Sequence, residues 1–381
     1  MAHLPTGGGG RRRCYPALPP GAGFPGADSR RPTVPRPSAR RLLTAALALA
    51  LAALLAAPAP AGAFEIGIQD DKTFVLSAPP ERDLAFDRAQ AIGVTTLKIS
   101  VVWQGYASIG LAPYDAAVNE ARRRGMNVHL VLTGNPSFLR GPNAAYMSYF
   151  RPSPARFATF AATVARHFRG RVRSYGLWNE PNLSLYLSPV REAPYIYRRL
   201  FTAGYRAVKR ADPRALVLIG ELAPGGQALT FLDRVSRGLV ADGFAHHPYQ
   251  LTRTPPGARE TYYVGISNVP AMRITLARLA RQRRLRTPRG APLPIWFTEF
   301  GYPRPGAYYG VFSEYLRARY SVLAFQVAKR SGVRLMTWYQ LYREPGPARS
   351  RQWDTGLLSP NGYQWPVYRS LVGARRSLIG R

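Results

Sequence analysis

From Phe64 onward, short apolar runs alternate with longer stretches in which apolar residues recur at helical spacing. Eight runs read as buried parallel strands, because Val, Ile, Leu and Phe fill successive positions instead of every second one: 64–69, 96–102, 127–133, 172–179, 215–220, 243–249, 294–300 and 334–341. Between them the pattern is helical. Ser153 and Pro154 precede Phe157, Phe160, Ala161, Val164 and Phe168, which gives an N-cap, a first-turn proline and one inward stripe. Residues 313–330 form a second such stretch, stopped at Gly332. Eight strand-then-helix units with short connections predict a single closed (β/α)8 barrel, an α/β TIM-barrel fold spanning 64–381. No sequence repeat accompanies the alternation.

The first 63 residues follow other rules. Residues 1–38 are rich in Gly, Pro and Arg without a hydrophobic period and read as a disordered extension. Residues 39–63 combine Arg40-Arg41, an apolar run from Leu42 to Ala57 and a small-residue ending at Ala61-Gly62-Ala63. That is the three-part layout of a secretory signal peptide cleaved after Ala63, and the run is short for a membrane span. An uncleaved anchor is the alternative; after cleavage no membrane contact is expected. The sole cysteine, Cys14, lies in the removed part, so the mature chain has no disulfide. The formal charge of +33 comes largely from arginine runs such as Arg122-Arg123-Arg124. It would draw the protein toward anionic polymers or simply coat ordinary helix faces; no recognised nucleic-acid module accompanies it.

Candidate chemistry sits where two strands end. Trp178-Asn179-Glu180-Pro181-Asn182 closes the fourth and Thr298-Glu299-Phe300-Gly301 the seventh. In a parallel barrel all strands open their C-terminal ends on one face, so two glutamates three units apart converge. Cleaving a glycosidic bond with retention needs such a pair, one carboxyl protonating the leaving oxygen and one attacking the sugar. Their pKa values must be split, with Glu299 ionised and Glu180 protonated until it donates.

These two strand-end motifs resemble the signatures of the large clan of retaining barrel glycoside hydrolases that includes the cellulase-like family 5 and the xylosidase-like family 39. The resemblance covers nearly the whole chain from Phe64. It implies Glu180 as acid/base, Glu299 as nucleophile and Asn179 as a partner of the sugar 2-hydroxyl. His247-Pro248-Tyr249 looks like the strand-six element whose tyrosine touches the nucleophile; histidines satisfied by loop carbonyls or holding a metal are the alternative. Trp338 matches an aromatic floor under the sugar, with core packing as its alternative. One position departs from the pattern: clan members carry an arginine near the end of strand two, where this chain has Lys98, which keeps the charge and loses the two-pronged geometry. Other aromatics follow strand ends, among them Trp103, Tyr106, Phe138, Tyr186 and Tyr308, while Asn135 and Glu221 are candidates for hydroxyl contacts.

The resemblance implies a retaining glycosidase acting on a carbohydrate substrate, a β-glycoside or polysaccharide that carries negative charge if the basic surface is functional, and the signal segment implies that it is secreted. No cofactor, metal or nucleic acid is expected, and oligomeric state is left open. A non-catalytic polysaccharide-binding barrel and a transglycosylase using the same two carboxylates stand as alternatives.

Overall fold

The computed structural model describes residues 64–103, 109–134, 149–252, 254–255, 263–343 and 352–379. The expected extension and signal segment lie outside these residues, as do Tyr106, Asn135 and Phe138. Among the described residues the expected barrel forms. Its strands are β1 (Glu65–Gln69), β2 (Thr96–Val102), β3 (Asn127–Thr133), β4 (Ser174–Leu177), β5 (Leu216–Leu222), β6 (Gly243–His246), β7 (Ile295–Phe300) and β8 (Leu335–Tyr339). Every neighbouring pair is parallel, and β8 pairs with β1 to close the ring.

A helix follows each strand: α1 (Pro79–Ala91), α2 (Ala112–Arg123), α3 (Pro154–His167), α4 (Ala193–Ala211), α5 (Ala228–Val235), α6 (Val269–Arg281), α7 (Glu314–Arg330) and α8 (Pro366–Ile379). The N-cap read at Ser153 is formed, and Ser313 supplies another. Ser153 Oγ accepts from the amide of Arg156 at the head of α3, and Ser313 Oγ from that of Leu316 at the head of α7. Phe157, Phe160, Ala161 and Val164 are the buried face of α3. The segments Leu239–Val240 and Leu285–Arg286 pair as a separate two-stranded sheet, too short for a hydrophobic period to reveal.

Several strands stop sooner than the apolar runs suggest, because the backbone leaves the extended region while the side chains stay apolar. Trp178, after β4, has φ 74°, and Gln340, after β8, has φ 68°. The strands separate two kinds of interior. Outward residues such as Ile68, Leu130, Leu177, Ile219 and Phe297 join the helices in one large apolar core, while inward Leu218, Ala245, Trp296 and Leu335 form a second cluster inside the ring.

Two strands carry one extra residue near their C-terminal ends. Gly220 and Leu222 of β5 lie opposite the consecutive Ala245 and His246, so Glu221 is the unpaired residue. In β7, Phe297 and Phe300 lie opposite Met336 and Trp338, so Thr298 and Glu299 share the place of one inward residue. A bulge re-aims a side chain that strict alternation would send to the other face. Both bulges place a glutamate, and both glutamates enter the barrel mouth.

Candidate active site

Glu180 lies just beyond β4 with φ 42°, its amide donating to the carbonyl of Glu221 at 2.9 Å. That bond ties the loop after β4 to the end of β5. Asn182 adds three more: its side-chain amide donates to the carbonyls of Ala223 and Gly225, and its oxygen accepts from the amide of Ala223. Glu299 arrives from the β7 bulge. One oxygen of each glutamate and one nitrogen of His247 lie within 4.8 Å of one another. Both carboxyls remain partly open, at 13% for Glu180 and 14% for Glu299, whereas the groups beneath them are closed to solvent.

The surrounding contacts form one network. Tyr249 donates its hydroxyl to Glu299 Oε1 at 2.7 Å, and Lys98 Nζ donates to Glu299 Oε2 at 3.2 Å. His247 Nδ1 is 2.9 Å from Glu180 Oε1 and 3.8 Å from Glu299 Oε2, while its Nε2 is 3.0 Å from Glu221 Oε2. Glu221 also accepts from Thr298 Oγ1 at 2.7 Å, pairs with His129 Nε2 at 3.0 Å and lies 3.6 Å from Lys98 Nζ. Gly176 makes room for it: a methyl there would sit 2.4 Å from Glu221 Oε1.

These contacts split the titrations of the two glutamates. Burial pushes Glu180 above the ordinary carboxyl range, against the opposing pull of His247. Burial also acts on Glu299, but there the His247 and Lys98 cations, with the Tyr249 hydroxyl, outweigh it and hold the carboxyl low. The same balance holds Glu221 well below the usual range, burial being overcome by Lys98, His129 and His247. For His247, burial works against the charge while Glu299, Glu180 and Glu221 favour it, and the ring is raised to about 9. Its neighbour behaves oppositely. His246 is lowered to about 3 by burial, with Nε2 2.7 Å from the carbonyl of Val264. Of the two adjacent histidines, one meets a loop carbonyl through Nε2 and the other meets carboxylates through both ring nitrogens.

Glu180, His247 and Glu299 are also the described group with ligand atoms close enough for a metal ion. Two cations already serve those carboxylates. A divalent ion would have to displace the His247 proton and sit against Lys98, so the donor set fits a proton-transfer site better than a metal centre.

Of the residues read from sequence, Glu180, Glu299, Lys98, His247 and Tyr249 come together here. Asn179 is half-buried between Trp178 and Glu180 at the same strand end. The two tryptophans do not join them. Trp338 is fully buried among Phe300, Phe325 and the Arg317 guanidinium, its Nε1 donating to the carbonyl of Thr355 at 3.0 Å. On β8 the inward residues are Leu335, Thr337 and Tyr339, so Trp338 faces the helices and offers no floor to a ligand. Trp103 packs on Phe157 and Phe160 of α3, stacked on the latter at 5.9 Å. Its ring is partly buried against that helix. His129 and Thr298 were not legible as site residues, and Glu221 was legible only as a possible hydroxyl contact. The available signal was a polar side chain inside an otherwise apolar strand, as in Asn127-Val128-His129-Leu130-Val131.

No protein-family model and no curated protein sequence matches this chain. Solved structures match its fold. A family 39 glycoside hydrolase from Bacteroides cellulosilyticus WH2 superposes with a TM-score of 0.63 at 19% identity, over 83% of this chain and 64% of that one. A monomeric beta-xylosidase from Caulobacter crescentus CB15 gives 0.57 at 17% identity, over 81% and 67%. GH5_18 from Streptomyces cattleya, in complex with GlcNAc, gives 0.60 at 16% identity, over 82% and 80%. The chain therefore shares the barrel architecture of these enzymes while spanning about two thirds of the first two.

Proposed function

We propose that the protein is a secreted retaining glycoside hydrolase acting on a β-linked glycoside or polysaccharide, with Glu180 as acid/base and Glu299 as nucleophile. The observation that carries this reading is the pair itself. Two partly open carboxyls stand within 4.8 Å at the mouth of a barrel, one pushed toward its protonated form and the other toward its ionised form. A retaining mechanism needs carboxyls about 5–5.5 Å apart, whereas inversion needs room for a water between them, about 6.5–9.5 Å. The fold shared with family 39 and family 5 glycosidases supports the same class, and the beta-xylosidase from Caulobacter crescentus among them supports a β linkage.

In the first step an oxygen of Glu299 forms a bond to the anomeric carbon as the glycosidic C–O bond breaks, and Glu180 gives its proton to the departing oxygen. Tyr249 and Lys98 hold the attacking carboxylate in place through its two oxygens. Glu180, now ionised, takes a proton from water, which attacks the glycosyl ester and frees Glu299. If another sugar takes the place of water, the outcome is transfer. Lys98 stands at the expected arginine position and keeps a cation on Glu299, which favours an active site over a barrel that only binds glycans.

The pH profile follows in sign. Glu299 must be ionised and is held low, so activity persists below the ordinary carboxyl range. Glu180 must be protonated and is raised, so the alkaline limb lies above that range. The test is a panel of aryl β-glycosides with product configuration followed by proton NMR. Retained configuration and labelling of Glu299 by a 2-fluoro glycoside are expected. An inverted product, or Glu180→Ala and Glu299→Gln variants that turn over like the parent, would sink the assignment. Export is tested by the N-terminus of secreted material, expected at Phe64.

A further inference from the structure

The buried carboxylate of Glu221 meets four side chains, those of Lys98, His129, His247 and Thr298, and the glycosidase reaction gives it no step. Its side chain is closed to solvent, as are those of Lys98, His129 and His247. Its placement requires three local departures from a regular barrel: Gly220 at φ 122°, Glu221 itself at φ 48°, and a glycine at 176 where any side chain would collide with it. Left-handed backbone at a non-glycine residue is strained and persists only where the surroundings over-determine it. Here the over-determination comes from His129, His247, Thr298 and Lys98, which converge on the two oxygens.

We propose that Glu221 is a positioning residue for the glycosidase reaction: it fixes the His247 ring against Glu180, and its charge lets Lys98 and His247 both stand beside Glu299 while Glu180 keeps its proton. The inference rests on the glycosidase reading of the site. The groups facing His247 are Glu180 beyond β4, Glu221 on β5, Glu299 on β7, Lys98 on β2 and His246 beside it, with His129 on the far side of Glu221 and Asp71 acting on Lys98. Two cations, Lys98 and His247, face two carboxylates held ionised, Glu221 and Glu299, and Glu180 is the fifth group. Remove the charge of Glu221 and two cations remain for Glu299 alone. Balance is then restored by losing a proton from His247 or from Glu180, which it touches at 2.9 Å. Loss from Glu180 takes away the acid at lower pH than in the parent, whereas loss from His247 leaves Glu180 its proton and shows as an earlier titration of the ring.

Glu221→Gln keeps the shape and removes the charge; Glu221→Asp keeps the charge. In Glu221→Gln the alkaline limb of kcat/KM on an aryl β-glycoside is expected to fall by about one pH unit or more, the lost charge acting on Glu180 across the His247 ring that bridges them. In Glu221→Asp it should stay near that of the parent, even if kcat drops. A second readout needs no turnover. In nitrogen-15 NMR titrations of the full chain, with His247 assigned from a His247→Asn spectrum, the parent ring should stay protonated past pH 8, and the Glu221→Gln ring should lose its proton at least about one unit earlier. A folded Glu221→Gln with both the limb and the His247 titration unmoved overturns the proposal. If that variant does not fold, the parent decides, since a His247 ring that titrates at or below its ordinary value also overturns it. Absence of turnover in the parent with the expected NMR shift would reject the hydrolase reading and leave the charge role of Glu221 standing.

Discussion

Inside the ring of strands, Leu218, Ala245, Trp296 and Leu335 make an apolar plug, whereas nearer the strand ends Lys98, His129, Glu221, His247, Thr298 and Glu299 make a network of charges and hydrogen bonds. Both regions lie largely buried inside the same barrel, and β5 and β7 contribute residues to each. They differ in what a substitution leaves behind. The plug is held by dispersion and exclusion of water, so trimming it opens a cavity and costs stability in proportion to the space left. The network is held by balance, so removing one member strands a charge in a medium that solvates it poorly. A packed interior tolerates local loss; a charge-balanced one passes each loss to its neighbours' protons.

The sharpest division between the two regions comes from the reacting carboxyls. Glu299→Gln should lower turnover by several orders of magnitude, whereas Glu180→Ala should spare aryl glycosides with good leaving groups and lose alkyl glycosides about 10²–10⁴-fold. Next comes Lys98→Met, which strands Glu221 and Glu299 together. It should cost about 3–5 kcal/mol of stability in denaturant titrations and raise the acid limb of kcat/KM, because a carboxylate that loses its cation ionises later. Tyr249→Phe removes one hydrogen bond to the nucleophile and should cost about 10–100-fold in kcat/KM, again with the acid limb moving up. The smallest effect on chemistry is expected from Leu218→Ala in the plug. It should lose about 2–5 kcal/mol of stability yet leave both limbs of the pH profile in place, and a shifted limb would show the two regions to be coupled.

The architecture was legible because it rests on two periods. Continuous apolar runs and helical stripes alternate eight times with short connections, which favours a closed barrel over an open sheet as the way to bury both faces of the strands. The ends of β4 and β7 were legible for a related reason: a polar residue that stops an apolar run in a parallel barrel emerges on the shared C-terminal face. Glu180 and Glu299 could be singled out on that basis. Tyr249 and His247 needed the family resemblance as well.

Which way a side chain points was decided elsewhere. Alternation has a period of two, so one extra residue in a strand exchanges its inner and outer faces beyond that point, and the local sequence carries no mark of it. Glu221 enters the barrel because β5 bulges at Gly220, and Thr298 and Glu299 both face inward because β7 bulges beside them. Trp338, without such a shift, turns to the helices. The sequence by itself determined the eightfold barrel and the two acidic strand ends, since both follow from composition along a single strand. Only the tertiary structure decided which cations stand beside each carboxylate, because those partners lie on different strands and meet through register, which a chain acquires only when its neighbours are in place.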